Sequence, residues 1–435
     1  MSTLRVLLDV SAVPPRPVGA GVYTVALARE LATRDDVTPV LLARTGDGAR
    51  WSTIAPGAEV HAMVPGPRPA RLAWEQLRGA ATARNLGLDL WHGPHYTMPG
   101  RLPCPAIVTI HDLTFFDLPE THERSKVVFF RRAIRASAVH ATRLVCVSRA
   151  TAKRLDAVLA HHAPVTVARH GVDHERFRPA DGDAGRARDD SLLRAHGIAG
   201  RFIAFVGTIE PRKGLATLTA AFAAIARDDP DLRLVIAGRD GWGAAELRAA
   251  ISNDRVATRV IRTGYIPDEV VPALYRRAAA VVYPSLAEGF GLPSVEALAC
   301  GATLVTTSGS AMEELVDDAA ILVPPGSVHD LEGGMRRALE PATAEQLAAR
   351  GPHVAARYTW KACADEHVQA YRAAVHGTGN QNRTRVAGGA AEGPARSGER
   401  SRAGAPATKP RSELAATVNE DDWRPAANHP TELEQ

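Results

Sequence analysis

The sequence predicts an α/β protein made of two doubly wound, Rossmann-like domains that face each other across a deep cleft. Short apolar runs alternate with helical segments, which is the pattern of a parallel sheet covered on both faces. This pattern stops at residues 179–200 and then restarts. The chain has 435 residues, enough for two or three domains of about 150 residues each.

The first domain is predicted to span residues 1–178. Helices are expected between most of its strands, notably at Arg124–Ser137 and Ser148–Leu159. The segment 179–200 is rich in Asp, Gly, Arg and Ala and has no strand pattern, so it is predicted to be the interdomain linker, with room for one short helix. The strands of the first domain are expected at Leu4–Val10, Val37–Ala43, Asp89–His92, Ala106–Ile110, Leu144–Val147 and Val165–Ala168.

The second domain is predicted to span residues 201–358. A last helix within residues 359–376 is expected to cross back to the first domain. Because doubly wound sheets bind ligands beyond the carboxyl ends of their strands, the cleft between the two sheets is the predicted site. The strands of the second domain are expected at Phe202–Val206, Leu232–Ala237, Val260–Arg262, Ala280–Tyr283, Thr303–Thr306 and Ala320–Val323, and its last helices at 327–340 and 342–350.

Residues 377–435 differ in composition from the rest. They contain one aromatic residue, Trp423, and few branched aliphatic residues. Positions 383–411 hold seven basic and two acidic residues, and positions 413–434 hold one basic and six acidic residues. So little apolar surface cannot offset the entropy lost on ordering, and the segment is predicted to be a disordered tail.

Overall composition excludes several classes of protein. Lys and Arg number 52 and Asp and Glu 48, so the net charge of +4 excludes a strongly basic nucleic-acid binder. The four cysteines form no C-x-x-C pair and are expected to be buried free thiols. No signal sequence and no apolar run of membrane-spanning length is apparent. A cytoplasmic protein is therefore expected.

The most informative stretch is YPSLAEGFGLPSVE, residues 283–296. It follows a strand and enters a helix, so it lies at the carboxyl edge of the second sheet. Gly289 and Gly291 let the backbone approach a ligand closely, and the free amides at the helix start can bind a diphosphate. Glu288 falls in the loop. Glu296 falls about one turn into the helix, where its carboxylate could accept hydrogen bonds from a ribose diol.

This block resembles the E-x7-E element of glycosyltransferase family 4. Other motifs of the family occur in the same order, and the resemblance covers roughly residues 4–376. It implies the GT-B fold and a retaining transfer of a sugar from a nucleotide donor. The matching segments are GAGVY at 19–23, HDL at 111–113, GTIEPRK at 207–213 and ACGATLV at 299–305.

The resemblance also implies roles for individual residues. Arg212 and Lys213 would neutralise the donor diphosphate, and His111 would contact the transferred sugar near its reacting carbon. Glu288 would contact the hydroxyls of that sugar. Asp112 is a candidate either to orient His111 or to bind the acceptor. The residues implied to bind the donor, besides Arg212, Lys213 and Glu288, are Gly19, Gly21, Gly207, Phe290, Gly291, Leu292 and Glu296.

Donor and acceptor are less defined by the sequence. The segment GTIEPRK is most similar to that of mannosyltransferases of the family, which favours GDP-mannose as the donor. UDP-sugars are the alternative. The acceptor is expected to be a hydroxyl on a glycan, a glycolipid or a polysaccharide precursor. No metal or other cofactor is expected, because the Asp-x-Asp pairs at 181/183 and 229/231 lie far from the cleft motifs.

Two other classes of protein would use the same cleft. A GT-B phosphorylase that carries pyridoxal phosphate needs a suitably placed lysine, and none of the few lysines fits. A catalytically silent protein that binds nucleotide-sugars is the other alternative. Such a protein would usually have lost part of the donor site, whereas this chain keeps every motif.

Two further segments are notable, a cation-rich helix in the first domain and a departure from the family pattern in the second. The stretch Arg124–Arg135 has five cations interleaved with apolar residues; in peripheral relatives such a helix contacts anionic membrane or a lipid-linked acceptor, and the alternative is a helix packed on the sheet. After Ser310 the chain reads AMEEL, where many relatives have a proline before the acid. Glu314 keeps that acid, so altered loop geometry without lost chemistry is expected.

Overall fold

The first domain is built on a parallel sheet of seven strands. In the computed structural model, which describes residues 3–252 and 257–387, the strand order is β3-β2-β1-β4-β5-β6-β7. The inner strand β5 is buried at all five positions, as expected of a parallel strand covered on both faces. The strands are β1 (Leu4–Asp9), β2 (Val37–Arg44), β3 (Glu59–Val64), β4 (Leu90–Gly93), β5 (Ala106–Ile110), β6 (Arg143–Cys146) and β7 (Val165–Val167).

Helices cover this first sheet and connect its strands. Helix α5 buries Val127 and Ile134 against the domain, and Phe130 on the same helix stacks on Phe115 with ring centroids 4.4 Å apart. The apolar stripe of this cation-rich helix is therefore at least partly used for packing. The helices are α1 (Ala20–Ala32), α2 (Gly48–Ile54), α3 (Arg68–Asn85), α4 (Thr114–Asp117), α5 (Arg124–His140) and α6 (Arg149–Val158).

The second domain is built on a parallel sheet of six strands in the order β10-β9-β8-β11-β12-β13. Strand β8 pairs with both β9 and β11, so the strand order reverses beside β8, and the loops after β8 and β11 emerge together. The strands are β8 (Phe202–Val206), β9 (Arg233–Ala237), β10 (Val260–Gly264), β11 (Ala280–Tyr283), β12 (Leu304–Thr307) and β13 (Ala320–Val323).

The remaining helices cover the second sheet or return to the first. None of the helices in the described ranges is long and apolar enough to cross a bilayer. They are α7 (Gly182–Ala195), α8 (Leu215–Ile225), α9 (Ala244–Ser252), α10 (Val270–Arg277), α11 (Leu292–Ala299), α12 (Ala311–Val316), α13 (Val328–Ala338), α14 (Pro341–Ala355) and α15 (Trp360–Ala387).

Residues 179–200 were predicted to be the interdomain linker with room for one short helix, and they contain one helix of 14 residues. Most of the segment is helix α7, which belongs to the second domain. Leu193 and Ile198 are part of that domain's core, and Asp189 accepts two 2.6 Å hydrogen bonds from Arg276 on α10. The buried positions of α7 recur every four residues, but they are Gly185, Asp189 and Leu193, so only one large apolar residue marks the inner face.

Strand β3 was not predicted, and helices α2 and α3 were not located individually. Strand β3 lies at the edge of the sheet and is largely half-buried, so its residues lack the continuous apolar pattern of the inner strands. Helices α2 and α3 have few buried apolar residues. Only Trp51 is buried in α2, and the buried positions of α3 include Glu75, Gly79 and Thr82.

Helix α15 returns to the first domain and is fastened there by buried polar side chains. The hydroxyl of Tyr371 is hydrogen-bonded to His92 Nδ1 at 2.8 Å, and that of Tyr23 is hydrogen-bonded to His367 Nε2 at 2.7 Å. The same hydroxyl lies 3.0 Å from Thr109 Oγ1 in β5. The helix continues to Ala387, past the predicted start of the tail at 377; the rest of the predicted tail lies outside the described residues.

Tyr23→Phe should lower stability, because it leaves His367 Nε2 and Thr109 Oγ1 without this buried partner. An unsatisfied buried polar group costs about 1–3 kcal/mol. A lower denaturation midpoint in urea, with unchanged circular dichroism, would be the expected result. Tyr265→Phe is a matched control, since the Tyr265 side chain is exposed. Equal midpoints for the two variants would contradict the assigned network.

Candidate active site

A cleft of about 1090 Å³ lies at the carboxyl ends of both sheets and is lined by residues of both domains. The first domain contributes the loops after β1, β5 and β7. The second contributes the loops after β8 and β11, together with the start of α11. The predicted site residues that line it are Gly19, His111, Gly207, Arg212, Lys213, Glu288, Phe290, Gly291, Leu292 and Glu296.

Three charged side chains meet in the second domain. Glu288 Oε2 accepts a hydrogen bond from Arg212 Nη1 at 3.0 Å, and Glu288 Oε1 accepts one from Lys213 Nζ at 2.5 Å. Lys213 Nζ also donates to the hydroxyl of Tyr283 at 3.0 Å, and Arg212 Nε donates to Glu210 at 3.1 Å. The side chains of Lys213 and Glu288 are each only 9% exposed. The two predicted phosphate-binding cations are thus held in fixed positions by carboxylates.

This pairing fixes the charge state of the cluster. Burial acts to raise the pKa of Glu288, but Lys213 and Arg212 outweigh it and hold the pKa at about 2. Burial and Arg212 act to lower the pKa of Lys213, and the carboxylate of Glu288 raises it above the usual value. All three groups are therefore charged across the physiological range.

His111 directly follows β5 and is almost fully buried in the cleft wall. Its Nε2 donates to the carbonyl of Pro94 at 2.7 Å, because a carbonyl oxygen can only accept. Burial lowers the pKa of His111, so the ring is neutral and Nδ1 carries the free lone pair. The rings of Tyr23 and Tyr96 pack edge-on against it, with centroids 5.2 and 5.6 Å away.

Asp112 does not orient His111, which was one of its two predicted roles. Its Oδ1 accepts hydrogen bonds from the backbone N–H and the hydroxyl of Thr114, at 3.1 and 2.8 Å. Asp112 and His111 are both described, and no hydrogen bond joins them; Pro94 orients the imidazole instead. Asp112 lines the cleft, so a contact with the acceptor stays a prediction.

Gly289 brings the two domains into backbone contact. A Cβ atom at this position would lie 1.6 Å from the carbonyl oxygen of His111, so only glycine fits. The carbonyl of Gly289 also accepts a hydrogen bond from Thr151 Oγ1 of α6 at 3.1 Å. The close approach expected at Gly289 is therefore to the other domain, whereas the sequence suggested a ligand.

Helix α11 places the second acid of the motif. Gly291 precedes it with φ 99°, a left-handed conformation that favours glycine, and Pro293 occupies its first turn. Glu296 lies in a buried wall, where Tyr275 donates to its Oε2 at 3.4 Å. Burial raises the pKa of Glu296 to about 7, although the positive charge of Arg176 opposes the shift.

The other predicted glycines divide into two groups. Gly19 and Gly207 line the cleft. Gly21 is buried within the first turn of α1, where a Cβ would lie 3.1 Å from Pro17, so it shapes the loop and does not line the cleft. No group of three or more metal-ligating side chains occurs within residues 3–252 and 257–387.

Several cleft residues were not singled out from the sequence. Tyr283 was noted only as the end of a strand, yet it contacts Lys213. His170 was not considered at all; it follows β7 and packs against Tyr23 and Phe290, with ring centroids 4.6 and 4.7 Å away. Among the described residues its Nδ1 has no hydrogen-bond partner. The position of His170, two residues after the predicted strand Val165–Ala168, was the available signal.

Comparison with known proteins identifies the family. Residues 17–176 match the model described as Glycosyltransferase Family 4, and residues 194–353 match that of Glycosyl transferases group 1. The D-inositol 3-phosphate glycosyltransferase of Salinispora tropica is 30% identical over 416 residues, which cover 85% of this chain and 83% of that protein. This chain belongs to glycosyltransferase family 4.

One further relative agrees with the glycosyltransferase assignment, and one solved structure agrees with the fold. The O-antigen chain mannosyltransferase B of Escherichia coli is 28% identical over 310 residues, covering 70% of this chain and 77% of that protein. The crystal structure of Anabaena HepE in complex with UDP and glucose superimposes with a TM-score of 0.68 at 18% identity, covering 85% of this chain and 100% of that one. The predicted GT-B fold and family are therefore confirmed, and the chain is a glycosyltransferase.

Gly289→Ala should destabilise the protein, because the new methyl group would overlap the carbonyl of His111. Overpacking of this kind costs about 1–3 kcal/mol, seen as a lower melting temperature. Gly333→Ala is the control. Gly333 lies within α13 with no atom within 4 Å of the added Cβ, so this change should stabilise by about 1 kcal/mol. A Gly289→Ala protein as stable as the wild type would show that the backbones do not touch.

Proposed function

We propose that this family 4 protein transfers mannose from GDP-mannose, with retention of configuration, to a hydroxyl of a glycan, a glycolipid or a polysaccharide precursor. The observation that carries the proposal is the meeting of Arg212, Lys213, Glu288 and His111 in one cleft between two domains. The choice of mannose is supported by the GTIEPRK wording and by the Escherichia coli relative, which is named a mannosyltransferase.

Catalysis in this proposal is mainly electrostatic. As the bond between the sugar and the diphosphate breaks, negative charge grows on the leaving phosphate oxygen. Arg212 and Lys213 lie at fixed positions in the cleft wall with side chains only 17% and 9% exposed, where such charges act more strongly than in bulk solvent. At the start of α11, Pro293 has no N–H and the N–H of Ser294 donates to the carbonyl of Gly291 at 2.9 Å. The N–H of Leu292 is the further donor proposed there. With this charge supplied by the protein, the reaction needs no metal ion or other cofactor.

His111 is proposed to bind the transferred sugar. Its Nε2 is occupied by Pro94, so Nδ1 can accept a hydrogen bond from a sugar hydroxyl. Glu288 is proposed to accept from another hydroxyl of the same sugar. The acceptor hydroxyl then attacks the anomeric carbon on the face that the diphosphate leaves, and the leaving phosphate oxygen takes its proton.

A UDP-sugar is the second candidate donor. The observation in its favour is the structural neighbour HepE, crystallised in complex with UDP and glucose. For either donor, the carboxylate of Glu296 is proposed to accept hydrogen bonds from the ribose hydroxyls, which GDP and UDP share. The two donors therefore differ in contacts to the base, which the motifs do not specify.

Location at the cytoplasmic face of a membrane is also proposed. Within 124–135, Val128 is 53% exposed, and cations surround it in the sequence, so an apolar and basic surface faces outward. Arg131 and Arg135 lie over the ring of Phe116, at 5.5 and 5.2 Å. This surface suits weak contact with anionic lipid.

The donor proposal is tested by thermal shift with GDP, UDP, ADP, dTDP and GDP-mannose, without added metal. A ligand at 100 times its Kd stabilises by about 2.7 kcal/mol, and the largest shifts are expected with GDP and GDP-mannose. Lys213→Ala should remove most of the shift, because a charge-assisted bond contributes roughly 1.5–3 kcal/mol. Arg233→Ala, at the exposed amino end of β9, should leave it intact. A shift with UDP alone would replace GDP-mannose by a UDP-sugar, and no shift at all would contradict a nucleotide site.

Nucleotide affinity should rise with pH up to about 7 and level off above it. Ribose hydroxyls favour the ionised form of Glu296, whose pKa of about 7 must fall on binding, so binding releases a proton below that pH. The slope approaches tenfold per pH unit at most. Isothermal titration of the preferred nucleoside diphosphate between pH 5.5 and 8.5 measures it.

Glu296→Gln is the reference for this slope, because it retains only the titration of the nucleotide phosphate itself. If the affinity of the wild type rises with pH no more steeply than that of the Gln variant, the proposed hydrogen bond between Glu296 and the ribose is contradicted.

A further inference from the structure

Glu314 of the second domain binds the first domain directly. It lies on helix α12, and its side chain is 17% exposed. One carboxylate oxygen accepts from the backbone N–H of Ala150 at 3.0 Å. The other accepts from the backbone N–H of Arg149 and from Nε of Arg169, both at 3.2 Å. All three donors belong to the first domain.

These contacts complete the amino end of helix α6. The first N–H groups of a helix have no partner within the helix and carry partial positive charge. The side chain of Ser148 caps the N–H of Thr151 at 3.0 Å, and Glu314 takes the N–H groups of Arg149 and Ala150. One domain therefore supplies part of the cap for a helix of the other.

A short chain of contacts joins this cap to the cleft. Thr151, in the first turn of α6, donates to the carbonyl of Gly289. Gly289 lies against the carbonyl of His111, and Glu288 is its neighbour in sequence. The first turn of α6 is thus held on one side by Glu314 and on the other by the loop that carries Glu288.

We propose that Glu314 is a positioning residue that holds the two domains in the register at which Glu288 and His111 face the same sugar. The inference rests on the proposed function for its catalytic consequence, but the interdomain contact itself does not. Glu314 touches neither His111 nor Glu288 and acts through α6. It is the acid that follows Ala-Met-Glu in a stretch where only altered loop geometry was expected from the sequence.

The variant Glu314→Ala should keep both domains folded. Arg149 is exposed, so water can bond to its N–H in place of the carboxylate. The substitution should therefore weaken the contact between the domains and leave the fold of each domain intact. Glu314→Gln keeps a neutral oxygen acceptor and should show a smaller effect. Glu345→Ala, at an exposed position of α14 in the same domain, is the matched control.

Distances between spin labels test the register without reference to activity. Labels at Val139→Cys on α5 and Val328→Cys on α13, exposed by 57% and 39%, report one distance across the two domains. Cys104, the one half-buried thiol among the four, is replaced by Ser in all proteins. Glu314→Ala should broaden the distribution and add longer distances, Glu314→Gln less so, and Glu345→Ala not at all. Identical distributions for Glu314→Ala and Glu345→Ala would overturn the proposal.

A kinetic comparison tests the catalytic consequence. Glu314→Ala should lower kcat at least tenfold while nucleotide affinity changes less than threefold, because the donor-binding cations lie in one domain. Equal losses in kcat and in nucleotide affinity would overturn positioning as the cause. If the labels separate in Glu314→Ala but the wild type transfers no sugar, the proposed function fails and the interdomain role of Glu314 stands.

Discussion

The buried ion cluster of Glu288, Arg212 and Lys213 constrains the whole second domain. A charge removed from water must be paired, and losing one partner of a buried pair costs about 3–5 kcal/mol. The three groups come from loops after β8 and β11, which are neighbouring strands, and Tyr283 at the end of β11 adds a bond to Lys213. These loops therefore keep one relative geometry, and the cations stay aimed into the cleft.

The first domain is aligned to this cluster by backbone contact. At Gly289 the separation is too small for any side chain, so rotamer changes cannot adjust the fit. His111 is held in turn by Pro94 and by the rings of Tyr23 and Tyr96. Tyr23 belongs to the buried hydrogen-bonded network that fastens α15, the helix that returns from the second domain. The relative position of the two domains is thus supported both at the cleft and at α15, where the chain returns to the first domain.

Local apolar patterns predicted most strands, and the resemblance to the family's motifs predicted the residues of the cleft. An inner parallel strand must be continuously apolar, and a phosphate-binding loop needs cations and glycines at set spacings. One short helix was allowed within 179–200, but the bounds of α7 and its packing on the second domain were not predicted, because its inner face carries Asp189, which is buried through an ion pair. The contacts of Thr151, Gly289 and Glu314 were not predicted either, since they join segments far apart in the chain. Adjacency suggested that Asp112 orients His111, but side chains of neighbouring residues after a strand point apart, and Pro94 fills that role.

The charge states in the cleft limit how a proton can move in the proposed reaction. A carboxyl with a pKa of about 2 is ionised at neutral pH, so Glu288 cannot act as an acid. Burial keeps His111 neutral, and its one N–H is bonded to Pro94, so it has no proton to give. Arg212 and Lys213 hold theirs through pairing with Glu288. None of these groups can therefore supply a proton to the departing phosphate oxygen. In the proposed reaction that oxygen takes its proton from the acceptor hydroxyl, and the protein contributes position and charge to that step.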